Sequence, residues 1–116
     1  MQNTPTTQEK ILTIYVDIDN TICNPDPNWN HELATPIKDH IQKINNLYDA
    51  GHNIVYWTAR GTLTNKDWRE VTEKQFEEWG VKYHDLILYK PHYDLFIDDK
   101  NIEANRFFKE KYYEII

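Results

Sequence analysis

The stretch ILTIYVDIDNTIC, residues 11–23, decides the fold because it predicts a buried strand that ends in two acids. Residues 11–17 are rich in Ile, Leu, Tyr and Val, which is typical of a strand covered on both faces of its sheet. Asp17, Asp19 and Thr21 lie together at the end of this run. Carboxylates at the mouth of an apolar strand repel each other and lose solvation, so their presence calls for a chemical reason.

Length and charge limit the classes of protein to consider. The chain has 116 residues, with 13 basic and 19 acidic side chains and a net charge of −6. We predict one domain at 11–116 behind a flexible N-terminal tail at 1–10. The acidic balance argues against a nucleic-acid polymer or a membrane surface as the main partner. Cys23 is the only cysteine, and no signal peptide or long apolar run is present, so we expect a cytoplasmic protein.

Strand and helix patterns alternate along the rest of the chain. Further strands are predicted at 53–58, 85–89 and 94–98, and the terminal YEII predicts an edge strand. Helices are predicted at 36–50, with Thr35 as N-cap, from Thr64 or Asn65 as N-cap through Trp79, and from Asn101 as N-cap through about Tyr112, with Gly51 and Gly80 ending the first two. Residues 24–35 predict a loop or flap. This order favours an α/β fold with an open, mostly parallel sheet.

Polar residues follow four of the predicted strands. Asp17 and Asp19 end the first strand, Thr58 the second, and Asp98 and Asp99 the fourth, while Lys90 follows the third. Ligands of such sheets bind outside the carboxyl ends of the strands, so these side chains should meet at one edge.

The predicted cluster has a definite chemistry. Several carboxylates at one edge stay ionised only beside a cation, and Mg²⁺ is the oxygen-binding ion that fits best. Together with Lys90 and the Thr58 hydroxyl, such an ion would form a receptor for a phosphoryl group. One Asp could then attack phosphorus, and the second could protonate the leaving oxygen and later activate water.

Four short motifs, in order, resemble those of the haloacid dehalogenase superfamily of phosphotransferases. They are DIDNT at 17–21, IVYWT at 54–58, YKP at 89–91 and FIDDKN at 96–101. The resemblance covers roughly residues 11–105. It implies a Rossmann-like three-layer α/β/α fold, and the connections after the first two motifs are too short to hold the family's cap domain.

The resemblance also implies roles for the matched residues. Asp17 would be the nucleophile and a Mg²⁺ ligand, and Asp19 the general acid/base that binds the metal through its backbone carbonyl. Thr58 and Lys90 would hold the phosphoryl group. Asp98 would be a metal ligand, with Asp99 adjacent or shared.

The resemblance is closest to the small phosphatases of capsule and surface-polysaccharide biosynthesis. It implies a small phosphorylated metabolite as substrate, and capless members tend to form oligomers, so a homo-oligomer is an open alternative. Asn20 stands where the family usually has Gly, and Asn tolerates unusual backbone angles.

Other residues near the motifs are candidate substrate contacts. Arg60 would bind a substrate carboxylate or second phosphate, or alternatively form a structural ion pair with an acid. Asn20, Ala59 and His92 lie beside the motifs, and His31 lies in the flap with Trp29 and Asn30. His40, His52 and His84 are expected on the surface, and Cys23 is expected to fill space.

Three alternative functions remain open from the sequence. A nucleotidase or polynucleotide 3′-phosphatase of the same superfamily would use the same residues, although the net charge disfavours a polymer. A phospho-accepting receiver domain would need its acceptor Asp on a middle strand, where NIVYWT offers none. A pseudoenzyme that binds a phosphometabolite is disfavoured by the intact acids.

Overall fold

The computed structural model describes residues 10–116, so nearly all of the predicted N-terminal tail at 1–10 lies outside the described residues. The strands and helices follow one another as β1 (Thr13–Val16), β2 (Cys23–Asn24), β3 (Thr35–Pro36), α1 (Lys38–Asp49), β4 (Asn53–Trp57), α2 (Arg69–Trp79), β5 (Asp85–Ile87) and α3 (Ala104–Lys109). Two 3₁₀ turns add His31–Leu33 and Tyr112–Glu114.

The main sheet is parallel and has the strand order β1-β4-β5. Tyr15 pairs with Val55, and Tyr56 pairs with Leu86. Helices α1 and α2 form the two crossovers, because parallel neighbours need a long connection between the end of one strand and the start of the next. The carboxyl ends of all three strands therefore meet at one edge, and the mixed α/β fold with a parallel sheet is confirmed.

The core lies between the sheet and the helices. Ile54 and Tyr56 of β4 are fully buried, and Ile41 and Ile44 of α1 and Phe76 of α2 pack into the same cluster. Their burial is the main favourable contribution to folding. No cap domain interrupts the described part of the chain.

Glycines end the first two helices as predicted. Gly51 follows α1 with φ 103°, and Gly80 caps α2 with φ 70°, a region that costs glycine little. The predicted helix starts are wrong. Pro36 pairs with Cys23 in the two-residue β2–β3 ladder, so α1 begins at Lys38, and α2 begins only at Arg69.

The predicted fourth strand at 94–98 is wrong. Residues 91–101 are exposed and contain no strand or helix. The side chains of Leu95 and Ile97 are 75% and 88% exposed. A strand is stable only when its backbone groups pair with a neighbour, and no described residue pairs with this segment.

Two other predictions for the C-terminal part of the chain are also wrong. Helix α3 begins at Ala104, and its N-cap is Glu103, whose carboxylate accepts from the backbone N–H groups of Asn105 and Arg106. Asn101 instead donates to the carbonyl of Asp98 at 2.8 Å. The terminal YEII forms no strand, since the chain turns into the 3₁₀ helix Tyr112–Glu114 there.

The expectation that three histidines lie on the surface holds for only one of them. His84 is exposed, whereas His52 is 3% exposed, and its Nδ1 accepts from the backbone N–H of Leu12 at 3.0 Å. His40 is half-buried, stacks on Phe108, and places Nδ1 2.8 Å from the carbonyl oxygen of Thr21. The sequence pattern does not reveal these contacts because each joins residues far apart in the chain.

Candidate active site

Three strand ends converge at the carboxyl edge of the sheet. The backbone N–H of Thr58 donates to the carbonyl of Ile87 at 3.0 Å, and that of Lys90 donates to the carbonyl of Thr58 at 2.8 Å. Asp17 directly follows Val16, which pairs with Tyr56 of β4. The structure thus brings together Asp17, Thr58 and Lys90, as the sequence predicts.

Asp17 is a half-buried carboxylate with few partners. Its Oδ1 accepts from the backbone N–H of Ile18 at 2.8 Å. Burial raises the pKa of Asp17, while the nearby ammonium of Lys90 opposes that rise. Within the described residues Asp17 makes no ion pair, and Nζ of Lys90 lies 5.4 Å from the ring centre of Trp57. The protein therefore compensates the charge of this carboxylate only in part.

A tight turn follows β1 and presents the second acid. The backbone N–H groups of Thr21 and Ile22 both donate to the carbonyl of Ile18, at 3.1 and 2.9 Å. Asn20 takes φ 65° and donates its N–H to the carbonyl of Cys23. The predicted tolerance of Asn for an unusual backbone angle is confirmed.

The carboxylate of Asp19 is held by a buried arginine. Arg60 Nε lies 3.1 Å from Asp19 Oδ2, and Nη2 lies 3.0 Å from Oδ1. Such forked pairs fix the plane of the carboxylate as well as its charge. Of the two roles left open for Arg60, the structure shows the ion pair, because the guanidinium has 0% exposure.

Two partners of Arg60 were not predicted. Its Nη1 donates to Thr72 Oγ1 at 2.9 Å and to Gln75 Oε1 at 2.7 Å, both on α2. Thr72 and Gln75 are buried polar residues on the side of α2 that also carries Phe76. Thr72 and Gln75 are polar side chains at i and i+3 on an apolar helix face. This sequence pattern could have predicted their role, since buried polar groups need partners.

His31 is the part of the flap that reaches Asp19. Its Nδ1 lies 3.7 Å from Asp19 Oδ2, and its ring packs edge-on against Trp68 at 4.8 Å. Burial lowers the pKa of His31. Trp29, by contrast, is 56% exposed. The segment between β2 and β3 is a loop closed by a short antiparallel ladder, and its His31 side borders the site.

Cys23 fills space beside the same carboxylate. It is fully buried, and its Sγ lies 3.4 Å from Asp19 Oδ1. Burial raises the pKa of this thiol to about 12. The thiol therefore stays protonated at neutral pH and is a poor nucleophile, in line with the sequence-based expectation.

The loop after β4 needs a glycine. Gly61 takes φ 88°, and a Cβ at this position would lie 2.5 Å from the carbonyl oxygen of Lys66. Ala59, a candidate substrate contact, is half-buried, and its carbonyl accepts from the N–H of Thr62. The turn over 59–62 follows β4 closely, so Thr58 and Arg60 both lie near the carboxyl end of that strand.

Within the described residues, no hydrogen bond or ion pair joins the remaining predicted site residues to Asp17, Thr58 or Lys90. Asp98, Asp99 and His92 lie on the exposed segment 91–101, and Lys100 Nζ lies 3.5 Å from Asp99 Oδ2. The charged groups that act on Asp17 are Lys90, Asp19 and Arg60. The position of Asp98 depended on the fourth strand, which does not form in this structure.

The sheet edge offers a small number of oxygen ligands to the predicted Mg²⁺. No group of three His, Cys, Asp or Glu side chains with metal-ligand geometry occurs in residues 10–116. Mg²⁺, however, keeps several waters and often takes only one or two carboxylates together with substrate phosphate oxygens. The partly compensated carboxylate of Asp17 fits that use, and the backbone carbonyl of Asp19 would supply a second oxygen ligand while Arg60 holds the side chain of Asp19.

Comparisons with known proteins bear on the fold. No protein-family model matches the chain, and no curated protein matches it. None of the helices in residues 10–116 has the length and apolar character needed to cross a bilayer. The chain is similar to the crystal structure of a structural-genomics target from Vibrio cholerae, with TM-score 0.73 and 21% identity over 90% of this chain and 98% of that chain. At this identity the likeness shows the fold alone, a small α/β domain with a parallel sheet.

Proposed function

We propose that this protein is a Mg²⁺-dependent phosphatase that hydrolyses a phosphomonoester of a small metabolite through an aspartyl-phosphate intermediate. The observation that carries the proposal is the meeting of Asp17, Thr58 and Lys90 at one sheet edge, with Asp19 oriented beside them. Reactive groups at the carboxyl ends of parallel strands are typical of α/β enzymes. The superfamily resemblance of the same four residues supports the same chemistry.

Each residue has a distinct part in the proposed reaction. A carboxylate oxygen of Asp17 attacks phosphorus, and the bond from phosphorus to the leaving oxygen breaks. The ammonium of Lys90 and the hydroxyl of Thr58 bind the phosphoryl oxygens. Asp19 in its protonated form gives its proton to the leaving oxygen and becomes the carboxylate, which later takes a proton from the water that hydrolyses the acyl phosphate. Mg²⁺, held by Asp17 and the carbonyl of Asp19, would neutralise phosphoryl charge.

The substrate class is part of the proposal. The site lacks a cap in the described chain and is bordered by the 24–35 loop, so it is open enough for a sugar, polyol or amino-alcohol phosphate. The resemblance of the motifs supports the further proposal that this reaction belongs to capsule or surface-polysaccharide biosynthesis in the cytoplasm. The net charge of −6 gives a nucleic-acid polymer no electrostatic advantage.

The first prediction tests the nucleophile. The purified protein should release phosphate from 4-nitrophenyl phosphate with Mg²⁺ and not with EDTA. Asp17→Asn should lower kcat/KM by at least about a thousandfold, because an amide cannot form the acyl phosphate. Phosphate release is measured with both metal conditions for each variant.

Asp49→Asn is the matched control, since Asp49 is an exposed acid paired with Lys82 and should leave activity unchanged. Wild-type activity in Asp17→Asn would overturn the nucleophile assignment. A screen of sugar, polyol and amino-alcohol phosphates and of mononucleotides then identifies the substrate, and a clear preference for a nucleotide would favour the nucleotidase alternative.

A further inference from the structure

Arg60 is the most fully buried charged side chain of the site, with 0% exposure of its guanidinium. One side of the guanidinium forks onto Asp19, and the opposite side donates to Thr72 and Gln75 of α2. Taking this charge out of water is costly, and only a well-paired geometry offsets the cost. The arrangement therefore fixes the plane of the Asp19 carboxylate relative to helix α2.

The hydrogen bonds of Gln75 connect this arrangement to the loop that borders the site. Gln75 accepts from Arg60 through Oε1 and donates through Nε2 to the carbonyl oxygen of His31 at 2.6 Å. His31 in turn lies against Asp19 Oδ2. A closed ring of contacts thus joins Asp19, Arg60, Gln75 and His31. A ring of this kind leaves Asp19 a single orientation.

The pattern of acceptors shows which oxygen remains open. A carboxylate offers about four lone-pair sites on its two oxygens. Oδ1 accepts from Arg60 Nη2 and from the Cys23 thiol, whereas Oδ2 accepts, among residues 10–116, from Arg60 Nε alone and faces His31 at 3.7 Å. Oδ2 therefore keeps a site for the leaving oxygen or for water.

We propose that Arg60 is a positioning residue that fixes the carboxylate of Asp19 for proton transfer at Oδ2, using Thr72 and Gln75 as its anchor on α2. This inference rests on the proposed function, in which Asp19 protonates the leaving oxygen as its bond to phosphorus breaks and Asp17 gains the phosphoryl group. Arg60 itself contacts no substrate.

The leaving group gives a test that general structural damage would not mimic. Arg60→Lys keeps the charge and loses the fork. For an alkyl phosphate, whose leaving oxygen needs a proton, kcat/KM should fall by about a hundredfold. For 4-nitrophenyl phosphate, whose leaving group departs as an anion, kcat/KM should change by less than about fivefold, because this parameter reports the first step.

A second readout follows the covalent intermediate. Hydrolysis of the acyl phosphate also needs Asp19, so Arg60→Lys should accumulate protein phosphorylated on Asp17 during turnover of 4-nitrophenyl phosphate. Mass spectrometry of acid-quenched samples measures this fraction. The double variant Arg60→Lys/Asp19→Asn should be no slower than Asp19→Asn alone, since the arginine acts only through the carboxylate.

Two further variants keep the test decisive. Thr72→Val removes one anchor while leaving Arg60 and Asp19 intact, and should show the same leaving-group pattern with a loss of about fivefold for the alkyl phosphate. It serves as the test if Arg60→Lys does not fold. Arg106→Lys, which alters a forked but exposed pair with Glu110, is the control and should change neither substrate's kcat/KM.

The outcomes separate this inference from the proposed function. Equal losses for both substrates, or additive losses in the double variant, would overturn the positioning role of Arg60 while leaving phosphatase activity established. If the wild-type protein releases no phosphate from any substrate, the proposed function itself fails.

Discussion

Asp17 is the residue at which the proposed reaction and the stability of the folded protein conflict most directly. Its carboxylate is half-buried, makes one hydrogen bond to protein, and has a pKa that burial raises above its ordinary value of 3.8. The ionised form therefore costs the folded protein free energy at neutral pH. Reactive groups with perturbed pKa values are typical of functional sites, where local stability is sacrificed.

Asp17→Asn should therefore stabilise the protein while removing its proposed activity. An amide keeps the acceptor for the Ile18 N–H and removes the buried charge, so the free energy of unfolding at pH 7 should rise by roughly 0.5–2 kcal/mol. The folded-state pKa is raised, so the penalty disappears as the carboxylate protonates. The gain should shrink as pH falls toward 3.8.

Urea unfolding in EDTA, at pH 7 and at acid pH, measures this difference. Asp49→Asn should show no such gain, because Asp49 is exposed and already paired with Lys82. A less stable Asp17→Asn variant would contradict the view that the charge is under-compensated.

At the scale of elements, the sequence predicts the strands and helix ends that depend on local sequence patterns. Apolar runs predicted β1, β4 and β5, and the two glycines predicted where α1 and α2 end, because a left-handed backbone angle strongly favours glycine. The helix starts were missed because Pro36 fits a helix N-terminus as well as the β2–β3 ladder that tertiary pairing selects.

The partners of the site residues depend on strand topology and tertiary packing rather than on local sequence patterns. The convergence of Asp17, Thr58 and Lys90 was predictable from topology alone. Thr72 and Gln75 were not, since their role depends on how α2 packs above the β4 loop. The predicted role of Asp98 relied on a fourth strand, and that strand does not form in the described chain, where no neighbour pairs with it.

Asn45 shows how one side chain joins two elements. It is buried on α1, and its Nδ2 donates to the carbonyl of Gly80 at 2.8 Å while its Oδ1 accepts from the N–H of Lys82 at 2.9 Å. These bonds attach the chain that leaves α2 to the side of α1. Asn45→Ala should lower the free energy of unfolding by roughly 1–3 kcal/mol, because two backbone groups lose their partner.

Asn46→Ala is the comparison in the same helix. Asn46 is exposed, and its side-chain oxygen accepts a hydrogen bond from Gln42 in the preceding turn. We expect its denaturation midpoint to shift little, since exposed pairs of this kind contribute a few tenths of a kcal/mol. Equal losses in the two variants would contradict the role of the two Asn45 hydrogen bonds, since Ala has the higher helix propensity and propensity alone would stabilise both variants.

At the scale of the whole molecule, an apolar segment stands apart from the core. Leu95, Phe96 and Ile97 are exposed, and Tyr93 packs its ring on Phe96 with centroids 5.3 Å apart. Strand β1 pairs only with β4 and so leaves its other edge unpaired in the described chain. Exposed apolar segments and free edges are both features that proteins usually cover.

The stability of a variant at Ile97 reports whether this segment is covered in solution. With the side chain 88% exposed, Ile97→Ser should change the free energy of unfolding by no more than about 0.5 kcal/mol. Leu86→Ala, at a core position 2% exposed, should cost about 2–5 kcal/mol in the same urea titration. A loss above about 1 kcal/mol at Ile97 would show that the segment packs against something. Dependence of that loss on protein concentration would identify a second copy as the covering surface, and independence would show that the segment packs against its own chain.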